Sequence, residues 1–316
     1  MGSRRAGDDE VKAWQEDGSV VLHELIGGDE LAAAIADLDE LFPSPAAYHS
    51  DPDGERERWL GRPPAPRHAF VWPPNGPGFR PEQHRWKAEF PFGGSGALNR
   101  LCVHPAIVDF AERALETKDL RLYQTGISGR YAGDTNYEQP MHTDRNHSWL
   151  PARGRPPWWQ IQLFVYLSDV TPGNAPTHVV PLAGSRGRAT TVWGVMPDQD
   201  PDLYAAEQPA VGRRGSVLAY RSDVFHRGVD LTDAGSSRFM MGLAFRAAGQ
   251  DWIGFNVAPS NSTSLSWVAF VESCTPRELA LFGFPPPGHP IWDAGFLDET
   301  AARYPNLDLT PWRAAL

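Results

Sequence analysis

The sequence predicts a mainly β domain with helices packed around it. Ser237 to Arg246 alternates apolar and other residues with the period of two that suits a half-buried strand, and Val217 to Tyr220 before it is a short apolar strand. His142, Thr143 and Asp144 place two polar ligand-type side chains two residues apart, a spacing that strand geometry brings to one side and a helix splays. Apolar stripes and cap signals then mark helices on either side of these segments.

The N-terminal third reads as helical with one strand. Leu31, Ile35, Leu38 and Phe42 form one stripe, with Asp29 as the expected N-cap. Residues 43–80 are crowded with proline and charge, including Arg62-Pro-Pro-Ala-Pro-Arg67 and Trp72-Pro-Pro-Asn-Gly-Pro77, and are expected as long loops. A helix is expected from His104 to about Glu116, with Pro105 in its first turn. Gln160, Gln162 and Phe164 alternate along a strand after the His-Thr-Asp triplet, and a further strand runs from Val217 to Tyr220, followed by a Ser/Asp turn and His226. In Ser237 to Arg246, Phe239, Met241, Leu243 and Phe245 share one side; Arg238, Met240, Gly242 and Ala244 share the other, a wall of small or flexible residues headed by one cation. Thr275 and Glu278 form a capping box for a helix that Gly283 ends, Pro285 to Trp292 is a bend, and Asp298 is expected to cap a last short helix. With no repeat and no linker, the expectation is one domain over 1–316: helical support at about 1–118, a β core at about 119–250 and a tail at about 251–316.

Composition narrows the function classes. A net charge of −10 offers no basic footprint for nucleic acid or an anionic membrane. Cys102 and Cys274 form no CxxC pair, so neither a zinc ribbon nor a disulfide scaffold is indicated. The first ten residues lack an apolar signal core and no run reaches transmembrane length, so the expected compartment is the reducing cytoplasm. A Gly-x-Ser-x-Gly elbow and a phosphate-cradling GxxxxGK[ST] loop are both missing, which argues against a serine hydrolase of that type and a P-loop enzyme.

His226 and, twelve residues later, Arg238 complete a constellation with His142 and Asp144. Two neutral imidazoles and one carboxylate on one face of an iron leave three adjacent positions open, as in non-haem Fe(II) oxygenases. The triplet alone is weak evidence in a chain with 10 His and 39 acidic residues. His49, Ser50 and Asp51 spell it too, in a stretch without apolar alternation, and read as an exposed turn. For His142 and Asp144 the structural alternative is a buried salt bridge or a capped turn.

Several motifs in order resemble the phytanoyl-CoA dioxygenase (PhyH) family of Fe(II)/2-oxoglutarate-dependent oxygenases. They are Trp14-Gln-Glu-Asp-Gly-Ser-Val-Val-Leu22, Pro140-Met-His-Thr-Asp144, Val165-Tyr-Leu-Ser-Asp-Val170, Gly173-Asn-Ala-Pro-Thr-His-Val-Val-Pro181 with Gly184-Ser185, and Arg214-Gly-Ser-Val217 with Phe225-His-Arg-Gly228. The resemblance implies a double-stranded β-helix (jelly-roll, cupin-like) core. It implies His142, Asp144 and His226 as ligands of Fe(II), and Arg238 as the clamp on the far carboxylate of 2-oxoglutarate, a role for which a planar, always-charged guanidinium is suited. Gln124, Gln162, Phe164 and Lys87 are the further residues expected around the cosubstrate. The chain departs from the pattern at Met240 and Gly228, where many relatives carry a small polar residue. The implied reaction is hydroxylation of an unactivated C–H with O2, releasing succinate and CO2. Asp144 stands where halogenating relatives carry a small residue, which argues against halogenation; desaturation, epoxidation and ring closure share the same ligands.

Twelve tryptophans allow aromatic walls for a bulky, partly apolar small molecule of natural-product type, or padding of the barrel against its helices. His147, Trp149 and Trp158 are the substrate-side candidates, and the chain is expected to act as a monomer or homodimer. Two other readings stand beside this one: a cupin-like metal enzyme that uses no 2-oxoglutarate, and a non-catalytic jelly roll that binds a ligand.

Overall fold

The computed structural model describes residues 2–60, 86–93, 95–134, 138–144, 155–188, 194–250, 253 and 265–316. Its strands are β1 (Ser19–Leu22), β2 (Lys87–Glu89), β3 (Leu120–Tyr131), β4 (Gln160–Tyr166), β5 (Thr177–Val179), β6 (Gln208–Ala210), β7 (Val217–Tyr220), β8 (His226–Gly228) and β9 (Ser237–Ala247). Six of them form an antiparallel sheet in the order β1-β7-β4-β9-β3-β2, and three form a smaller sheet in the order β6-β5-β8. Isolated bridges Met141↔Val195 and His142↔His226 extend the smaller sheet. This is the double-stranded β-helix expected from the motifs.

The alternation read in β9 divides the large sheet. Phe239, Met241, Leu243 and Phe245 join Ile161, Leu163 and Val217 in a core cluster shared with helical residues such as Trp14, Leu38 and Phe110. The opposite face looks into the barrel, where Tyr166, Leu218, Tyr220 and Met240 pack with Val179 and Ala210 of the small sheet. Strand register sorts that inner face into rows. Tyr220, Gln162, Ala244 and Gln124 lie side by side, then Leu218, Phe164, Gly242 and Gly126, then Tyr166, Met240 and Ser128, then Arg238 beside Arg130. Gly242 suits its row because a Cβ there would sit 3.3 Å from the Phe164 ring, tighter than ordinary contact.

The flanking helices follow their caps more closely than their stripes. The first expected stripe divides into a helix, Gly28–Ala36, and a 3-10 turn, Asp37–Glu40; its N-cap is Gly27, so Asp29 lies in the first turn, where its charge favours the helix dipole. Part of the expected 43–80 loop is helical: Pro45–Ser50 is capped by Ser44, whose Oγ accepts from Ala47 N at 3.2 Å, and Pro52–Leu60 follows Asp51, whose Oδ1 accepts from Gly54 N at 3.0 Å. Both proline-rich runs lie outside the described residues. Pro105–Ala114 forms with His104 as N-cap, and the Thr275–Glu278 capping box opens Pro276–Ala280. The last long helix, Ala294–Arg303, is capped by Asp293; Asp298 lies within it and pairs with Arg313 at 2.9 Å. Leu265–Glu272 is a helix that the stripe reading missed, being apolar on nearly every face. The C-terminal segment is tied back to the N-terminal helices through Arg100 and Glu278 (3.1 Å) and through Phe90 and Phe270, whose ring centroids are 4.9 Å apart. Among the described residues no helix is long and apolar enough to cross a membrane.

Candidate metal centre

His142 and His226 meet at the mouth of the barrel through a backbone bridge, His142 N donating to His226 O (3.0 Å) and His226 N to His142 O (2.8 Å). The two rings are 4.5 Å apart, centroid to centroid. Asp144 lies in a bend two residues beyond the bridge rather than within a strand ladder, yet its Oδ1 comes to 3.6 Å from His226 Nε2. One ligand-type atom from each of His142, Asp144 and His226 lies within 4.8 Å of the others, the sole such cluster of three among the described residues.

Backbone carbonyls set the tautomers. His142 Nδ1 is 2.8 Å from Pro140 O, and His226 Nδ1 is 3.1 Å from Val224 O. A carbonyl can only accept, so each Nδ1 carries a proton, the contact that orients a metal-binding imidazole and leaves Nε2 as the ligand atom of the neutral ring. Two imidazole lone pairs and one carboxylate therefore converge in a largely buried place, and the set fits a divalent transition metal. His49 and Asp51 have other work: His49 Nε2 contacts Ser236 O (3.1 Å) and Ser237 Oγ (3.0 Å), while Asp51 starts a helix.

The surrounding polar groups include Tyr220 and Gln162 of the first inner row, with Tyr123 and Gln160 beside them. Tyr220 Oη donates to Asp144 Oδ2 at 2.8 Å. Gln162 Nε2 donates to Tyr123 Oη at 2.6 Å, and Tyr123 Oη donates to Gln160 Oε1 at 3.2 Å. Burial, and then the charge of Asp144, push the Tyr123 phenol well above its usual range, so it remains a donor at any working pH. Neither tyrosine was singled out from sequence. Each stood in an apolar strand pattern, and only the meeting of the two sheets shows what its hydroxyl reaches.

The other expected residues are placed as follows. Arg238 is 5 % exposed on the inner face, donates to Ala175 O in the segment before β5, and stands opposite Arg130, which donates to Val229 O at 2.7 Å. Gln124 lies in the Tyr220 row beyond a bulge in β3, and Phe164 lies in the next row. Lys87 is exposed on the edge strand β2, opposite Ser128. Trp158, expected on the substrate side, instead belongs to the helix-side core: its ring packs edge-on to Trp14 at 5.7 Å and beneath the Arg221 guanidinium at 4.4 Å. Trp159, the residue before β4, packs with Tyr123, Ala244 and Ile253. His147 and Trp149 lie outside the described residues.

Outside the barrel, β8 is pinned by an ion network. Arg227, next to His226, makes a two-pronged bond to Glu207 (2.7 and 2.8 Å) and a contact to Glu138 (2.5 Å), and His178 Nδ1 comes to 2.9 Å from Glu207. Burial works against the Glu207 charge, but Arg227 and then His178 outweigh it and hold the carboxyl at about 2, below its ordinary 4.5. A depressed carboxyl contributes stability above its unfolded value and loses it as pH falls toward the folded one. Stability of the wild type is therefore expected to fall from pH about 4.5 toward about 2 by up to roughly 3 kcal/mol from this group. Thermal unfolding across that range should show a shallower fall for Glu207→Gln; parallel curves would remove Glu207 from the account.

No family model and no curated protein matches the chain. Solved structures match it by fold. SnoK, a non-haem α-ketoglutarate-dependent carbocyclase from nogalamycin biosynthesis, aligns with a TM-score of 0.53 at 18% identity, over 78% of this chain and 88% of its own. EctD from S. alaskensis, solved with 2-oxoglutarate and 5-hydroxyectoine, gives a TM-score of 0.54 at 18% identity, over 78% of this chain and 80% of its own. AviO1 from Streptomyces viridochromogenes gives 0.50 at 15% identity, over 78% of this chain and 98% of its own. At these identities the likeness establishes the shared fold.

Proposed function

We propose that the chain is an Fe(II)- and 2-oxoglutarate-dependent oxygenase of phytanoyl-CoA dioxygenase type, one domain over its whole length, that hydroxylates a small, bulky, partly apolar metabolite. The observation that carries this reading is the convergence of His142, Asp144 and His226 at the mouth of a barrel whose inner face also holds Arg238. Among the fold neighbours, SnoK and SnoN are described as α-ketoglutarate-dependent and EctD has been solved with bound Fe, which supports the same cofactors here.

In this reading His142 and His226 hold the metal through Nε2 and Asp144 through Oδ1. Arg238 binds the distal carboxylate of 2-oxoglutarate. When bound, iron, 2-oxoglutarate and O2 supply the oxidation: one oxygen atom goes to succinate as CO2 leaves, and the other becomes the hydroxyl on the substrate carbon. Phe164 and Tyr220 exclude water from the inner face, and Gly242 and Ala244 leave it room. Gln160, Gln162 and the protonated Tyr123 offer hydrogen bonds on the side where Trp159 offers an apolar wall, a combination suited to an oxygen-bearing, partly apolar metabolite. Asp144 occupies the position that halogenation would need vacant, which argues against halogenation; desaturation, epoxidation and ring closure share the same ligands, and hydroxylation is the outcome proposed.

The test is succinate release by the iron-loaded protein against a panel of polycyclic, terpenoid and aromatic metabolites. Substrate-dependent succinate that requires both Fe(II) and 2-oxoglutarate supports the proposal. Iron binding with no 2-oxoglutarate consumption, alone or with any panel member, would move the chain to metal enzymes that use no cosubstrate.

A further inference from the structure

We propose that Tyr220 is a positioning residue that holds Asp144 with a single oxygen toward the metal; this rests on the metal reading of the same site. Tyr220 closes β7, is 2 % exposed, and stands beside Gln162 on the inner face. Its hydroxyl donates to Asp144 Oδ2 at 2.8 Å, whereas Oδ1 is the oxygen 3.6 Å from His226 Nε2. Its ring also lies 4.6 Å from the His226 ring, inclined at 50°. One side chain thus touches two of the three candidate ligands.

The need for such a contact follows from the backbone. His142 and His226 are fixed to each other by a two-way bridge, but Asp144 sits in a bend outside any ladder. Tyr220 supplies a side-chain contact that orients its carboxylate. A carboxylate can bind a metal through one oxygen or two. A hydrogen bond from a rigid strand onto Oδ2 opposes the rotation that would bring both oxygens to the metal, and so keeps coordination positions open.

Tyr166 provides the control. It is buried on the same inner face, and its hydroxyl donates to Ala210 O at 2.7 Å, a backbone contact between the sheets. Co(II) titration of the apoproteins, read by the visible d–d bands, reports both affinity and coordination number. Tyr220→Phe keeps the ring and is expected to weaken Co(II) binding by about 10- to 100-fold and to change band intensity, the usual effect of losing an outer contact to a metal ligand. Tyr166→Phe should bind Co(II) as the wild type does, although it too loses a buried hydrogen bond. Wild-type affinity and spectrum in Tyr220→Phe would overturn the proposal, as would equal weakening in Tyr166→Phe, which would report general loosening. A wild type that gives no Co(II) spectrum would overturn the metal reading itself, and the role of Tyr220 with it.

Discussion

Replacing His226 by alanine is expected to remove metal binding and turnover together while leaving the apoprotein folded. The bridge to His142 uses the backbone N–H and C=O of residue 226, and alanine keeps both. The lost groups are the Nε2 lone pair and the ring beside Tyr220. An outer hydrogen bond to a metal ligand costs roughly 10- to 100-fold in affinity; a ligand is expected to cost more, because the remaining imidazole and carboxylate no longer surround the ion. Thermal unfolding with and without Fe(II) under anaerobic conditions reads this directly. A wild type at about 100 times its dissociation constant gains about 2.7 kcal/mol from the metal, and the variant should gain nothing while its metal-free transition stays cooperative. A His226→Ala protein that still gains stability from Fe(II) would exclude His226 as a ligand.

The parts of the site that the sequence made legible are those set by local geometry. β9 was readable because one face buries apolar residues against helices while the other faces the barrel, which produces a period of two, and β7 because it is a short apolar run before a turn. The His-x-Asp spacing was readable for a related reason, although only His142 pairs with another chain segment; Asp144 reaches the cluster from a bend. Strands of three residues such as β5 and β6 are too short to show a period, so the small sheet became visible only in three dimensions. The helices at 45–60 were hidden by proline and charge, though Ser44-Pro45 and Asp51-Pro52 are good start signals. Trp158 and Trp159 show the limit of local reading. Adjacent residues of one type divide between the helix-side core and the cluster with Tyr123 and Ala244, and which goes where depends on how the chain enters β4.

Arg238 offers the decision between a cosubstrate-dependent enzyme and a simpler metal protein. Arg238→Ala is expected to weaken 2-oxoglutarate binding on the order of 100-fold or more, since truncating one partner of a buried charged hydrogen-bond pair costs about 2–5 kcal/mol. Arg238→Lys should fall between the two, retaining the charge but losing the planar fork. The side chain is almost wholly buried and shares its row with Arg130, which pairs with Asp230 at 3.5 Å. Anaerobic titration of the Fe(II) protein, followed by the visible charge-transfer band of the chelated 2-oxo acid, measures the affinity without needing the substrate. 2-Oxobutyrate, which keeps the chelating end and lacks the distal carboxylate, separates the possible causes. If Arg238 grips that carboxylate, Arg238→Ala loses affinity for 2-oxoglutarate but binds 2-oxobutyrate as the wild type does. Equal loss for both acids would mean that the substitution disturbs the barrel, and unchanged binding of 2-oxoglutarate would remove Arg238 from the site and leave the triad as a metal centre with some other partner.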